Sequence, residues 1–227
     1  MPGPRDRVVG VAAAVLTSVA LVVTAVVVES PPRPDGLFAN DRAAQRDLVR
    51  LLGAAERAHY LVEFTTTRSL PSGEVRAEPV VEAQIPPRRI VAGAATATID
   101  IGASRVRCTV TDVGTQCLPE HRATQALSAA QVYDTALDEG VYAVRRAPGR
   151  TVAGERAHCF VLVAVTGVLP DLGLVAERCL AADGVPLADR VATGTVDDER
   201  TALFVRRDID RDDLAALLDR FESEPGA

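Results

Sequence analysis

The sequence predicts an α+β domain, an antiparallel β-sheet packed by helices and preceded by one N-terminal transmembrane helix. Three observations carry this. Residues Val8 to Val28 form an apolar run without a charge. Residues 60–120 and 142–207 break into short strand-like stretches divided by Gly, Pro and Asp. The four cysteines fall into two pairs, each symmetric about a turn.

The run "VVGVAAAVLTSVALVVTAVVV" is 21 residues long. As a helix it spans about 31 Å, close to a hydrocarbon core of about 30 Å. It is apolar on every side, which a surface or core helix of this length is not. A cleaved signal peptide is the rival reading: "SVA" at Ser18 to Ala20 offers a cleavage site, although inside the run. No cysteine follows the run to carry a lipid. Residues 1–29 are therefore expected to be a cytoplasmic tip and membrane anchor. "SPPRPDG" makes residues 30–39 a stiff Pro-rich stalk. Residues 40–223 are the extracytoplasmic domain, and residues 224–227 a tail.

Basic residues flank the run on both sides, so charge does not orient it. The cysteines do. Antiparallel pairing of positions that sum to 225 sets Cys108 opposite Cys117, and Thr111 opposite Gly114. A sum of 338 sets Cys159 opposite Cys179, and Val163 opposite Val175, about the turn "TGVLPDLG". Two disulfides, Cys108–Cys117 and Cys159–Cys179, follow from this symmetry. Disulfides persist outside the cytosol. The N-terminus is then expected in the cytoplasm and the domain beyond a cell membrane that the chain crosses once.

The remaining elements come in order. Asn40 or Asp41 caps a helix to about Ala58, with Leu48, Leu51 and Leu52 on one side. "HYLVEFTTTRS" alternates as a strand, with Tyr60, Val62 and Phe64 on one face. "GEVRAEPVVEAQ", "RRIVAG", "ATATIDIG" and "SRVRCTVT" continue as strands. "TQALSAAQVYDTALDEG" reads as a helix ending at Gly140. Strands follow at about 158–167, 174–182, 185–195 and 200–207. The Asp183-Gly184 turn joins the middle two, and a charged turn, "VDDE", joins the last two. "DRDDLAALLDRFES" closes the chain as a helix with Leu214, Leu217, Leu218 and Phe221 in a stripe.

The chain has no Lys and no Trp. A P-loop, a Schiff base and a Ser-Lys dyad are thereby excluded. A net charge of −6 and few aromatics argue against nucleic acid. His59, His121 and His158 are scattered, and no GxSxG occurs. "DIDRDD", Asp208 to Asp213, spaces its acids as a calcium loop begins. It lacks that loop's Gly and its final Glu, and reads better as an acidic helix start with Asp210 as cap. No catalytic residue, metal ligand or cofactor is expected.

The order of elements, the leading helix followed by "YLVEFTTT", and the "DGVPL" hairpin resemble the periplasmic lipoprotein-carrier fold of the LolA and LppX/LprG type. The resemblance covers about residues 40–223. It implies a curved sheet, a half-barrel, cupping an apolar cavity closed by helices that holds acyl chains. It brings no catalytic signature. A lipobox cysteine is absent, so this would be a tethered version, which does not suit a shuttling carrier.

"CFVLVAVTGVL", Cys159 to Leu169, is apolar on both strand faces, where a strand with one wet face alternates. The candidate cavity residues are Tyr60, Val62 and Phe64, with Val161 and Val163. The sequence leaves open whether Phe160, Leu162 and Ala164 line it instead. A lipid or other amphiphile in that cavity is one functional expectation. A dry core with a protein partner in the cell envelope is the other, as in regulators of the RseB type that act on an anti-sigma factor.

Overall fold

The computed structural model describes residues 40–102, 104–112, 114–120, 127–169 and 172–223, with side chains to residue 219. The apolar run at 8–28, the stalk at 30–39, His121, Phe221 and the tail at 224–227 lie outside the residues or side chains described. No helix among the described residues is long and apolar enough to cross a membrane.

The described residues open with helix α1 (Arg42–Ala55), followed by β1 (Tyr60–Ser69), β2 (Val75–Ile85), β3 (Arg88–Ala92), β4 (Thr96–Ile101), β5 (Ser104–Thr111) and β6 (Gly114–Glu120). Helix α2 (Ala129–Asp138) interrupts the strands. Then come β7 (Tyr142–Arg146), β8 (Arg150–Val152), β9 (Glu155–Ala164), β10 (Val175–Leu180), β11 (Pro186–Ala192), β12 (Asp197–Arg206) and helix α3 (Arg211–Ser223). The strands form one open antiparallel sheet in the order β6-β5-β4-β3-β2-β1-β12-β11-β10-β9-β7, with β8 paired to β9. The α+β class and the packed antiparallel sheet expected from the sequence are present.

Local chemistry explains the boundaries. The Asp41 side chain accepts from the Ala43 and Ala44 N–H groups and caps α1. Ser128 and Gln131 form a reciprocal capping box, so α2 starts at Ala129, five residues after the Thr124 where the sequence pattern begins. Asp210 accepts from the Asp212 and Asp213 N–H groups, and Asp213 accepts from the Asp210 N–H. The "DIDRDD" acids are thus spent on starting α3. The expected turn at Val196 to Glu199 is displaced. Thr193 to Val196 turns instead, closed by the Thr193 N–H on the Val196 carbonyl, and Asp197 already opens β12. The short strand β8 is an addition to the sequence reading.

Both cysteine pairs hold their expected registers. Cys108 lies opposite Cys117 and Cys159 opposite Cys179, each pair disulfide-bonded. The pleat divides the sheet into two faces. Under α1 and α2, Phe160, Leu162, Ala176 and Leu180 are buried with Leu48, Leu51, Tyr133 and Leu137. On the opposite face, Ala83, Ile90, Ala97 and Cys108 are buried with Leu214 and Leu217 of α3. The junction of α1 with the sheet is tight. A Cβ on Gly184, whose φ is +88°, would fall 2.1 Å from the Leu51 carbonyl oxygen. Gln84 donates to the Ala55 and Ala58 carbonyls and ties the same helix end to β2.

The two sheet edges differ. At β7, the Asp41 N–H donates to the Val144 carbonyl, and the Val144 N–H donates to the Asn40 side chain. The start of the described chain therefore occupies that edge. The other edge is β6, whose Pro119 has no N–H to offer.

Candidate functional site

The residues expected to share a cavity do not share one. Tyr60, Val62 and Phe64 sit together on one face of β1, as the alternation predicts, but they keep only 2%, 0% and 1% of their surface. They are packed in one cluster with Val185, Leu187 and Ala202. Side chains so completely covered line no water-sized space. Val161 and Val163 point the other way. Phe160 pairs with Arg178, and Arg178 is joined through Asp189, Arg200 and Glu82 to the Tyr60 hydroxyl. Phe160 and Tyr60 thus share the face under α1 and α2, and the odd-numbered valines face away. Val161 instead lines an open polar groove with Arg145, Arg146, Arg150 and Glu177. The five candidates cannot form one pocket, because two strand faces supply them.

A line of charge crosses the face where the acyl cavity was expected. Arg178 of β10 donates to the Tyr133 hydroxyl at 2.7 Å and pairs with Asp189 of β11 at 3.2 Å. Asp189 also pairs with Arg200 of β12. Arg200 reaches Glu82 of β2 at 2.9 Å. Glu82 accepts from Tyr60 at 2.7 Å and from Arg89 of β3 at 3.0 Å. Arg89 approaches Asp100 of β4 at 3.7 Å, and Arg105 of β5 donates to Asp100 at 2.7 and 3.2 Å.

Position in the sheet dictates this line. Arg178–Asp189, Asp189–Arg200, Arg89–Asp100 and Asp100–Arg105 are each directly opposed cross-strand pairs. Glu82 is 1% exposed. Burial alone would raise its carboxyl, but the Arg89 and Arg200 guanidinium ions prevail and hold it well below the usual carboxylate range. Burial, and then the Glu82 charge, push the Tyr60 hydroxyl well above its ordinary value. Tyr60 therefore stays a neutral donor.

Sequence reasoning missed this line, although part of its signal was present. The arithmetic that paired the cysteines also sets Arg89 against Asp100 and Asp100 against Arg105. The contact between Glu82 and Arg200 joins residues 118 apart and has no local signature.

The disulfide residues stand where expected. The Sγ atoms of Cys159 and Cys179 and a carboxylate oxygen of Glu177 lie within 4.8 Å of one another. Both sulfurs are spent in the disulfide, so no thiolate is free to hold a metal.

No family profile and no curated relative matches the chain. Solved structures do. The Pseudomonas aeruginosa MucA/MucB complex superposes with a TM-score of 0.50 and 16% identity over 76% of this chain. The chain spans 60% of the length of that match. Mycobacterium tuberculosis lipoprotein LppX gives 0.45 and 10% over 71% of this chain and 94% of its own. A LolA superfamily protein from Nitrosomonas europaea gives 0.34 and 8% over 73% and 95%. At these identities the likeness is one of fold. The fold is that of the chain matched in the MucA/MucB complex.

Proposed function

We propose that the chain is a non-enzymatic, extracytoplasmic domain of the cell envelope that works by binding a protein partner. It is held by residues 8–28 in the membrane, with its N-terminus in the cytoplasm. The observation that carries this reading is the charge line, buried at Glu82 and partly exposed along the rest. An acyl chain needs a continuous apolar wall. The face that would provide it holds seven paired charges, Arg178, Asp189, Arg200, Glu82, Arg89, Asp100 and Arg105. An acyl chain laid along this face would have to separate these pairs, and Glu82, 1% exposed, would be left buried without its cations. An ion-paired face suits a rigid platform better than a container. The shared fold adds support, since MucB is a protein found in complex with MucA. The two disulfides and the run's length support the orientation and the anchor.

Two measurements on the full chain test this. Alkaline phosphatase fused after Ala227 is expected to be active in a bacterial host, and an inactive fusion overturns the orientation. Native mass spectrometry of the detergent-released chain, with a fluorescent fatty-acid titration, separates partner binder from lipid carrier. The expected result is no retained lipid and no saturable uptake. Saturable uptake that Val62→Trp lowers overturns the platform reading and restores the acyl pocket.

A further inference from the structure

The two disulfides stand in unlike places. Cys159–Cys179 ties β9 to β10, and both are interior strands of the sheet. Cys108–Cys117 ties β5 to β6, the outermost strand on its side. Cys159, Cys179 and Cys108 are buried. Cys117 is exposed.

We propose that Cys117 is a thiol-exchange site, at which a small external thiol opens the outer disulfide while the inner one stays closed. Exchange is an in-line displacement: the attacking thiolate approaches one sulfur from the side opposite the bond it breaks. A cross-strand bond runs broadly from one strand to the next, so each sulfur is approached from its strand's other neighbour. Behind Cys179 that neighbour is β11, whose buried Ala188 lies directly opposite. Behind Cys159 it is the end of β7, where the Ala147 N–H is bonded to the Cys159 carbonyl. Behind Cys108 it is β4, whose buried Ala97 lies directly opposite, in one cluster with Leu214 and Leu217 of α3. Behind Cys117, no described strand pairs with β6. The open edge of the sheet thus gives a line of attack to Cys117 that the other three cysteines lack among the described residues.

Charge separates the two pairs as well. A carboxylate oxygen of Glu177 lies within 4.8 Å of both inner sulfurs. It repels an incoming thiolate, whose charge has the same sign.

The step balances with the external thiol as its one co-reactant. The thiolate forms a bond to the Cys117 Sγ as the Cys108–Cys117 bond breaks. The electron pair of that bond leaves on the Cys108 Sγ, which takes up the proton that the external thiol gave up. One thiol and one disulfide enter, and one thiol and one mixed disulfide result. β6 then loses its covalent tie to β5, so the hold on this edge comes to depend on the thiols around the chain.

Glutathione is the probe. The full chain in detergent micelles is incubated with it at neutral pH, quenched in acid at intervals, and its peptides are mapped by mass spectrometry. The expected result is glutathione on Cys117 and a free thiol at Cys108. The outer pair should open about tenfold faster than the inner one, as access dictates. Glutathione on Cys108 overturns the direction of attack and with it the site. Opening of both pairs at one rate means that the sulfurs are reached through unfolding of the chain, which overturns the site as well. An outer pair that stays closed until urea unfolds the chain does the same.

Discussion

Arg200 on β12 donates to Glu82 on β2 at 2.9 Å, across the strand β1 that lies between them. Phe64 of β1 fills the step beneath, with the guanidinium carbon 4.8 Å from its ring centroid. A central strand is thereby bridged on its buried face by a charge pair, and its aromatic side chain becomes part of the bridge. Arg200 also holds Asp189, and Glu82 also holds Arg89 and Tyr60. The pair links the two halves of the line.

Removing Glu82 should therefore cost more than its packing volume implies. Glu82→Ala takes one carboxylate from Arg200 and Arg89, which keep Asp189 and Asp100, and leaves the buried Tyr60 hydroxyl without its acceptor. The expected loss is about 3 kcal/mol, the cost of breaking rather than replacing a buried pair. Urea unfolding of wild type and variant, at matched slope, measures it. A loss as small as that of a surface carboxylate would show the line to be incidental.

Acid should reveal the same group. The folded-state value of Glu82 is depressed, so it stabilises the fold above its unfolded value of about 4.3. That contribution fades as pH falls below this value and is gone only below the depressed folded one. Urea midpoints from pH 7 down to pH 3 should fall in wild type. The fall should be shallower in Glu82→Gln, which has no proton to take up there.

The two disulfides should differ. The loop closed by Cys159–Cys179 is longer, with a sequence separation of 20 against 9. The chain-entropy relation gives about 3.3 against 2.7 kcal/mol. Cys159 and Cys179 are both buried, whereas Cys117 is exposed, so truncation of the inner pair also empties packed space. Replacing both inner cysteines by Ala should cost about 1 kcal/mol more than replacing the outer two. Thermal unfolding of the two double variants decides it.

Gly184→Ala and Gly73→Ala form a matched test of the α1 junction. Both residues have φ above +80°, so each substitution carries a backbone penalty of about 1–2 kcal/mol. Nothing lies within 4 Å of a Cβ at Gly73, while at Gly184 the backbone of α1 is in the way. Gly184→Ala should lower stability at least twice as much as Gly73→Ala. Equal losses would mean that α1 can lift from the turn.

The parts legible in the sequence were those fixed by neighbours along the chain. Cys108 and Cys117 are joined by a hairpin, and symmetry about its turn fixes their register. The caps Asp41 and Asp210 announce themselves within four residues. The face of Tyr60, Val62 and Phe64 followed from strand period alone. What covers that face did not, because Glu82 sits in "VVEAQ", where both alternations hold apolar residues. Its partner Arg200 arrives only when β12 closes on β1. The placement of Val161 and Val163 failed for a related reason. A strand apolar on both faces carries no mark of which face meets the helices, and only the far-off contacts of Phe160 with α1 and α2 decide it. Three residues are too few for a period, which hid β8.

The unlike edges of the sheet set a limit on self-assembly. A strand edge is a template on which another chain can add, and a protein with two open edges can grow without end. Here one edge is taken at Val144 by the chain's own Asn40 and Asp41. Two copies could meet through β6, each with a proline that stops the ladder short. Such a pair would then turn outward the edge where Val144 is already bonded, which leaves less free backbone for a third copy to add to.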